Sequence, residues 1–188
     1  MECEARPVTR FVPMMEDELV AFVEAAIPEF ARDKVQSGQW TAAESLSLAR
    51  QVYAELLPQG IHTPDNFLYT LHDRATGSKV GVLWYACREQ AGSRVAYVYE
   101  VLVYPEHRRQ GHATRAFILL EEEAQRRGLA GVALHVFGHN AGAKHLYEQL
   151  GFRTTNVNMF KAVGLPGIDA SPTDDDGSSS QCGKSQGT

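Results

Sequence analysis

Apolar residues recur at helical spacing in the first third of the chain and predict two helices there. The first begins at Glu16, and its apolar face continues to Phe30, although Pro28 should kink or divide this helix. The second begins at the sequence Thr-Ala-Ala-Glu, where Thr41 can cap the helix and Glu44 can reach back to the cap. A proline and a glycine then end the pattern, so both helices precede the main run of strands.

Strand-like patterns follow, and short polar turns separate them. Because these turns are short enough for hairpins, three consecutive strands should form an antiparallel meander. The second and third of them are apolar on both faces, which places them in the interior of a sheet. The predicted strands, including a short one before the first helix, cover residues 8–14, 67–72, 79–87, 95–103, 131–137 and 156–163.

Two further helices lie between the last strands. One follows the strand at 95–103 and runs to Arg127, where Gly128 stops it. A shorter one is predicted within residues 140–151. The order β-α-α-β-β-β-α-β-α-β therefore predicts an α+β fold, or mixed α/β fold, with helices packed on a mixed sheet.

Length and composition indicate one domain followed by a tail. The chain has 188 residues, of which 44% are apolar and 22% charged, enough for one well-buried domain. We expect a single domain over residues 1–163. Residues 164–188 are rich in acidic residues, serine and glycine, and positions 169–188 contain no large apolar residue. Such a segment cannot offset the entropy lost on ordering, so this tail is expected to be disordered.

The charge pattern, the hydropathy and the cysteines indicate which partners and which cellular location to expect. The formal net charge is −5, and much of it lies in the tail, which argues against a nucleic-acid partner. No apolar run approaches the length of a membrane span, and the N-terminal residues lack the order of a signal peptide, so no membrane partner is expected. Cys3, Cys87 and Cys182 form no metal or disulfide spacing, which favours a reduced, cytoplasmic location.

A basic turn centred on one glycine lies between the strand at 95–103 and the following helix. The first amides of a helix have no partners within it, and the helix dipole adds positive charge there. Gly111 and the small Ala113 let a bulky anion approach the main chain, and Arg108 and Arg109 can contact phosphate. A diphosphate fits this arrangement best. The alternative is a solvated basic helix start with no ligand.

This turn and a downstream segment together resemble the N-acetyltransferase superfamily known as GNAT. Arg108, Gly111 and Ala113 match the superfamily's acyl-CoA-binding pattern of Arg or Gln, two residues, Gly, one residue, and Gly or Ala. The second signature is matched in the correct order further along the chain, by Asn140, Ala143, Tyr147, Gly151 and Phe152. Two ordered motifs are more specific than either alone.

The resemblance implies a mostly antiparallel central sheet, flanked by helices, in which one strand pair splays apart. The strand at 95–103 would carry a bulge and separate from the strand at 131–137, leaving a cleft for the pantetheine of acetyl-CoA. Main-chain groups of Leu102 and Val103 would bond the pantetheine, and Asn140 and Ala143 would contact the cofactor from the opposite side. Arg108 and the turn amides would hold the pyrophosphate. Those amides belong to Arg109, Gln110, Gly111, His112, Ala113 and Thr114.

The resemblance also gives Tyr147 the position of an acid that protonates the departing thiolate. The alternative is that Tyr147 only completes the packed face of its helix. Glu100 is the only charged residue in its apolar strand, where alternation should place it on the face of Val98 and Leu102. It is a candidate for the base that deprotonates the incoming ammonium, and the alternative is a salt bridge to a surface arginine.

The histidines and Cys87 suggest no metal site. His135 and His139 lie on a strand and its exit, where they should not converge on one ion, and no metal is expected. His107 and His112 should contact phosphate or solvent beside the basic turn. Cys87 is expected to be a buried strand residue.

The function implied is acetyl transfer from acetyl-CoA to a primary amine of a small molecule or peptide, directly within a ternary complex. Acceptor choice would reside in residues 16–65 and the loops beside the cleft. Candidate aromatic walls are Trp40, Tyr53, Phe67, Tyr69, Trp84, Tyr85 and Tyr99. The alternative is a non-catalytic acyl-CoA sensor or interaction module with the same fold. An exposed last strand at 156–163 could also pair in a homodimer.

Overall fold

The computed structural model describes residues 9–161, which form five strands and four α-helices. The strands are β1 (Thr9–Pro13), β2 (Asn66–Asp73), β3 (Lys79–Gln90), β4 (Ser93–Val103) and β5 (Val132–Leu134). The α-helices are α1 (Glu16–Gln36), α2 (Ser45–Leu56), α3 (His112–Arg126) and α4 (Ala141–Gln149). The five strands form one sheet in the order β1-β2-β3-β4-β5.

The sheet confirms the predicted α+β class. Three neighbouring strand pairs are antiparallel, so the predicted meander is confirmed, and only β4 and β5 run parallel. The parallel pair is joined by α3, the crossover that a parallel connection requires. Strands β3 and β4 lie inside the sheet, as their two apolar faces predict.

Two apolar cores lie on opposite faces of the sheet. One face packs against α3 through residues such as Leu83, Tyr85 and Phe117. The other packs against α1 and α2, where Trp84 contacts Phe22 edge to face and Tyr53 at a tilt. Alternation along β3 explains this division, because successive side chains of a strand point to opposite faces.

The first two helices differ from the predictions in two details. Helix α1 is continuous through Pro28, so the proline does not divide it; Pro28 is exposed, and the buried residues of α1 lie on the sheet side. Helix α2 begins at Ser45, four residues after the expected cap, because residues 42–44 form a turn. Thr41 and Glu44 do contact each other, through a 3.0 Å hydrogen bond between their side chains.

The prediction of a last strand at residues 156–163 is wrong for residues 156–161, the part that the structure describes. Residues 156–161 have no regular secondary structure, and the two asparagines among them disfavour a strand. Residues 162–163, the tail at 164–188 and the start of the first predicted strand at Val8 lie outside the described residues. Strand β5 is also shorter than expected and ends at Leu134 rather than at Phe137.

Strand β4 carries a bulge at Tyr99. Glu100 pairs with Trp84 and Val98 pairs with the adjacent Tyr85, so Tyr99 has no partner of its own on β3. A bulge bends its strand and increases the local twist. Pairing between β4 and β5 ends at the same place, since the last pair joins Val98 to Leu134. The remainder of β4 therefore has no neighbour on that side among the described strands, and the expected bulge and splay are confirmed.

Candidate active site

The turn that follows β4 presents a row of free backbone N–H groups. A short 3₁₀ helix, Pro105–His107, leads into it, and Gly111 caps α3 in the left-handed conformation with a φ of 85°. The first helical bond of α3 is that of Arg115, whose N–H donates to the Gly111 carbonyl at 3.0 Å. Within residues 9–161, no protein group accepts a hydrogen bond from the N–H groups of residues 109–114.

Most side chains of this turn are exposed, and two of them bond back to the protein. Arg108 Nε donates to the Val103 carbonyl at 3.0 Å, so this arginine braces the end of β4. Gln110 Nε2 donates to the Glu106 carbonyl at 3.1 Å. These bonds hold the turn without using its backbone N–H groups. The cofactor roles of Arg108 and Gln110 stay predictions.

The predicted exposure of the His112 side chain is wrong. Its ring is buried, and a 3.0 Å hydrogen bond joins the ring Nδ1 of His112 to Oγ1 of Thr9 on β1. The first turn of α3 packs against β1, which turns this side chain inward and leaves only its backbone N–H at the turn. Burial lowers the pKa of His112, with a smaller contribution from His107 and an opposing one from Asp73, so the ring favours the neutral form.

The bulge changes the face on which Glu100 lies. Cross-strand partners share a face, so Glu100 lies on the face of Trp84, towards α1 and α2, together with Leu102. Val98 pairs with Tyr85 and lies on the α3 face, so the prediction that Glu100 shares the face of Val98 is wrong. Strict alternation fails here because Tyr99 adds one residue to β4.

Glu100 is partly buried. Within the described part of the chain, no basic group lies within salt-bridge distance of its carboxylate, so the alternative of a surface salt bridge finds no partner among these residues. Burial raises the pKa of Glu100 to about 7, the Val101 backbone N–H opposes this rise, and the charge of Asp33 adds to it. The carboxyl group therefore titrates near neutral pH.

Tyr147 is both packed and protonated. Its ring meets Phe117 edge to face at 5.4 Å and lies 5.7 Å from Phe152. Burial, and then the negative charge of Glu100, raise the pKa of Tyr147 to about 12. The packing role is therefore present, and the phenol also keeps its proton at neutral pH. Its role as an acid stays a prediction.

Asn140 and Ala143 bond to each other. Asn140 caps α4, and its side-chain oxygen accepts a hydrogen bond from the Ala143 N–H at 3.1 Å. This cap fixes the start of the helix that carries Tyr147. Leu102 lies partly buried on the α1/α2 face, and the Val103 carbonyl accepts from Arg108. The contacts of these four residues with a cofactor stay predictions.

A pair of residues that sequence reasoning missed joins α1 to the loop before α4. His139 Nε2 donates to Asp33 Oδ1 at 2.9 Å. The neighbouring Lys34 ammonium lies over the rings of Phe30 and Phe137, at 5.3 and 5.7 Å from their centroids. Because Asp33 and His139 are 106 positions apart, no local sequence signal could have paired them.

The candidate aromatic walls divide between the two faces. On the α1/α2 face lie Trp40, Tyr53, Trp84 and Tyr99, which share a side of the sheet with Glu100. Phe67, Tyr69 and Tyr85 lie on the α3 face and belong to the other core. Cys87 is buried in that core too, as expected.

Residues 9–161 offer neither a place for a metal ion nor a membrane-spanning helix. They contain no group of three or more histidine, cysteine, aspartate or glutamate residues that could hold a metal ion. They also contain no helix with the length and apolar character needed to cross a membrane.

The sheet thus opens between its two parallel strands, beside a helix that begins with N–H groups that have no acceptor within residues 9–161. Residues 39–152 match the acetyltransferase (GNAT) family, which covers more than half of the chain. The chain therefore belongs to the GNAT family of acetyltransferases. This family uses acetyl-CoA as its cosubstrate, so acetyl transfer is the general class of activity.

Relatives of known sequence and structure agree with this membership. The chain is 34% identical over 151 residues to YycN of Bacillus subtilis, described as an uncharacterized N-acetyltransferase, and the match covers 80% of this chain and 96% of YycN. YdgE of the same organism, described in the same way, is 31% identical over 150 residues, covering 80% and 95%. The crystal structure of YycN superposes with a TM-score of 0.78 at 32% identity, covering 84% of this chain and 99% of that one.

A more distant structure extends the fold comparison only. A variant of the BH1408 protein from Bacillus halodurans has a TM-score of 0.60 at 15% identity and covers 83% of this chain and 99% of its own. At this level of identity the likeness concerns the fold alone.

Proposed function

We propose that this protein is an acetyl-CoA-dependent N-acetyltransferase that acts on a primary amine of a small molecule or peptide, by direct transfer within a ternary complex. The observation that carries the proposal is the row of free N–H groups at residues 109–114, beside the opening between β4 and β5. Glu100 and Tyr147 belong to the elements that border this opening. We place the reaction in the domain at residues 1–163, without a role for the tail.

The turn fits the pyrophosphate of the cofactor. Six consecutive N–H groups that have no acceptor within residues 9–161 offer more donors than an ordinary helix start, and the dipole of α3 adds partial positive charge. Gly111 keeps the approach open, and the exposed Arg109 adds charge. The pantetheine arm would follow the unpaired edge of β4, along Leu102 and Val103.

Bound acetyl-CoA supplies an activated thioester carbonyl for attack by the amine. Glu100, with a pKa of about 7, would accept a proton from the acceptor's ammonium group and leave a nucleophilic amine. A main-chain N–H on the unpaired edge of β4 would donate to the oxyanion that forms as the amine attacks. Tyr147 would then donate its proton to the departing sulfur, and the second proton lost by the acceptor nitrogen would return to the phenolate. The amide and the free thiol are the products, and Glu100 releases its proton to water.

The acceptor side suggests an amine that is cationic before it reacts. Glu100 and Asp33 supply negative charge, and Tyr53, Trp84 and Tyr99 provide aromatic surface on the same face of the sheet. Both the negative charge and the aromatic surface stabilise an ammonium group. This combination supports a primary amine, and it suits both a small molecule and the amino group of a peptide.

Thiol release measured with acetyl-CoA and a panel of amines and short peptides tests this proposal. We expect release that depends on both substrates, with thermal stabilisation by acetyl-CoA alone. Stabilisation without thiol release from any amine would favour the non-catalytic sensor. Absence of both would refute the acetyl-CoA site itself.

A further inference from the structure

The C-terminal turn of α1 contacts the loop before α4 through two consecutive residues. Asp33 accepts the 2.9 Å hydrogen bond from His139, and the Lys34 ammonium lies 5.7 Å from the centre of the Phe137 ring. Residues 135–139 have already left β5 and no longer pair with β4. Helix α1, rather than the sheet, therefore supports this part of the loop.

The loop in turn leads directly into the helix that carries Tyr147. His139 precedes Asn140, whose side chain caps α4 through the Ala143 N–H. The side chains of Asp33 and His139 are 40% and 26% exposed, so the pair is partly sheltered from water. A hydrogen bond between such groups is stronger than one at a fully exposed site.

We propose that Asp33 is a positioning residue that holds the start of α4 through His139 and presents a negative charge to Glu100 from α1. This inference rests on the proposed function, because it acts through the base on β4 and the acid on α4. Neither partner of the pair needs to touch the substrate for this role.

The surroundings of Glu100 support the second half of the proposal. Glu100 pairs with Trp84, whose ring lies 5.8 Å from that of Tyr53 on α2, and Tyr53 in turn lies 6.0 Å from Phe30 on α1. The charge of Asp33 on α1 acts on Glu100, and the charge of Glu100 acts on Tyr53 and on Tyr147 of α4. Burial, followed by the charge of Glu100, raises the pKa of both tyrosines, so both stay neutral at neutral pH. Among the described residues that act on Glu100, Asp33 is thus the one whose negative charge adds to burial in raising its pKa.

Two substitutions separate the hydrogen bond from the charge. Asp33→Asn removes the charge but retains an oxygen that can accept from His139. His139→Gln weakens the link to α4 and leaves the Asp33 charge in place. Glu29→Gln is the matched control, because Glu29 lies one turn earlier on α1, is exposed, and pairs with Arg32 at 2.7 Å.

The first readout is the pH profile of kcat/KM for thiol release. In Asp33→Asn the acidic limb should move to lower pH by about 0.5 unit, as expected when one partly screened carboxylate is removed. Glu29→Gln should leave the limb in place. His139→Gln should lower kcat/KM at every pH with little movement of the limb. An Asp33→Asn limb that coincides with the Glu29→Gln limb would overturn the charge role.

The second readout does not require activity. Carbon-13 NMR follows the titration of the glutamate carboxyl groups, and Glu100→Gln identifies the Glu100 signal. Glu100 should titrate at lower pH in Asp33→Asn than in Glu29→Gln. Amide exchange at Ala143 should become faster in His139→Gln. Unchanged exchange would overturn the link, and unchanged titration would overturn the charge role. If the wild type releases no thiol with any amine, the proposed function fails, but these two measurements still decide the role of Asp33.

Discussion

The negative charge of Glu100 on β4 acts on the phenol of Tyr147 on α4, in the elements that border the opening of the sheet. Burial makes the larger contribution, and the two effects together raise the pKa of Tyr147 to about 12. Burial of the Glu100 carboxyl group likewise raises its pKa, to about 7. One group thus exchanges a proton easily at neutral pH, and the other retains its proton, as a base and an acid should.

Tyr147→Phe should lower the rate of thiol release near neutral pH about 100-fold, the lower range for loss of a general acid, while acetyl-CoA affinity stays unchanged. The ring would still pack against Phe117. Tyr69→Phe is the control, because Tyr69 lies on the α3 face against Phe11 and outside the site. Equal rates in the two variants would remove Tyr147 from the mechanism.

Glu100→Gln should remove a pH-dependent cost to folding. The charged form is disfavoured in the folded state, so the cost is absent below the ordinary pKa of 4.5 and grows as the pH rises to about 7. The unfolding free energy of the variant minus that of the wild type should therefore increase by up to about 3 kcal/mol from pH 4 to pH 8. Urea unfolding at the two pH values measures this. A free-energy difference that is the same at both pH values would show that folding does not shift the pKa of Glu100.

Gly111→Ala should weaken both folding and cofactor binding. Its φ of 85° disfavours a side chain, which should cost about 1–2 kcal/mol, and the new methyl group would stand at the proposed phosphate site. Gly128→Ala is a matched control at the other end of α3, with a φ of 67° and open space around the added Cβ. It should lose similar stability and keep full acetyl-CoA affinity. Equal affinity losses in both variants would argue against a phosphate site at Gly111.

Gly81→Ala should disturb β4 from the neighbouring strand. A Cβ at this position would lie 2.0 Å from the Leu102 carbonyl oxygen, so β3 and β4 would have to move apart. We expect a loss of more than about 2 kcal/mol in unfolding free energy, since the contact is with backbone in a packed sheet, together with weaker acetyl-CoA binding. Isothermal titration and thermal unfolding would measure the two effects. Unchanged binding in a folded variant would contradict a role for the main chain at Leu102.

Local patterns in the sequence predict much of the fold because they depend on short-range chemistry. Strand alternation and short turns predict the meander, and Gly128 marks the end of α3 to within two residues. The basic turn and the cap at Asn140 are also local, which is why both are visible in the sequence. Pro28 misleads because the packing of the buried face of α1 on the sheet outweighs the cost of a proline inside the helix.

The rest depends on contacts that no local pattern contains. The family resemblance implies a bulge in β4, but its position at Tyr99 is recognisable only when β4 is paired with β3, and that position decides the face on which Glu100 lies. The inward turn of His112 depends on Thr9, 103 positions away. The pair of Asp33 and His139 likewise arises only once α1 reaches the loop after β5.

The proposed function requires that the N–H groups of residues 109–114 hold the diphosphate of acetyl-CoA. Proton–nitrogen NMR spectra recorded while acetyl-CoA is added test it most directly, with S-acetylpantetheine, which lacks the diphosphate, as the comparison. We predict large shifts of these six amide signals with acetyl-CoA and small ones with S-acetylpantetheine. Saturable binding of acetyl-CoA that leaves these six signals in place would show that the diphosphate binds elsewhere.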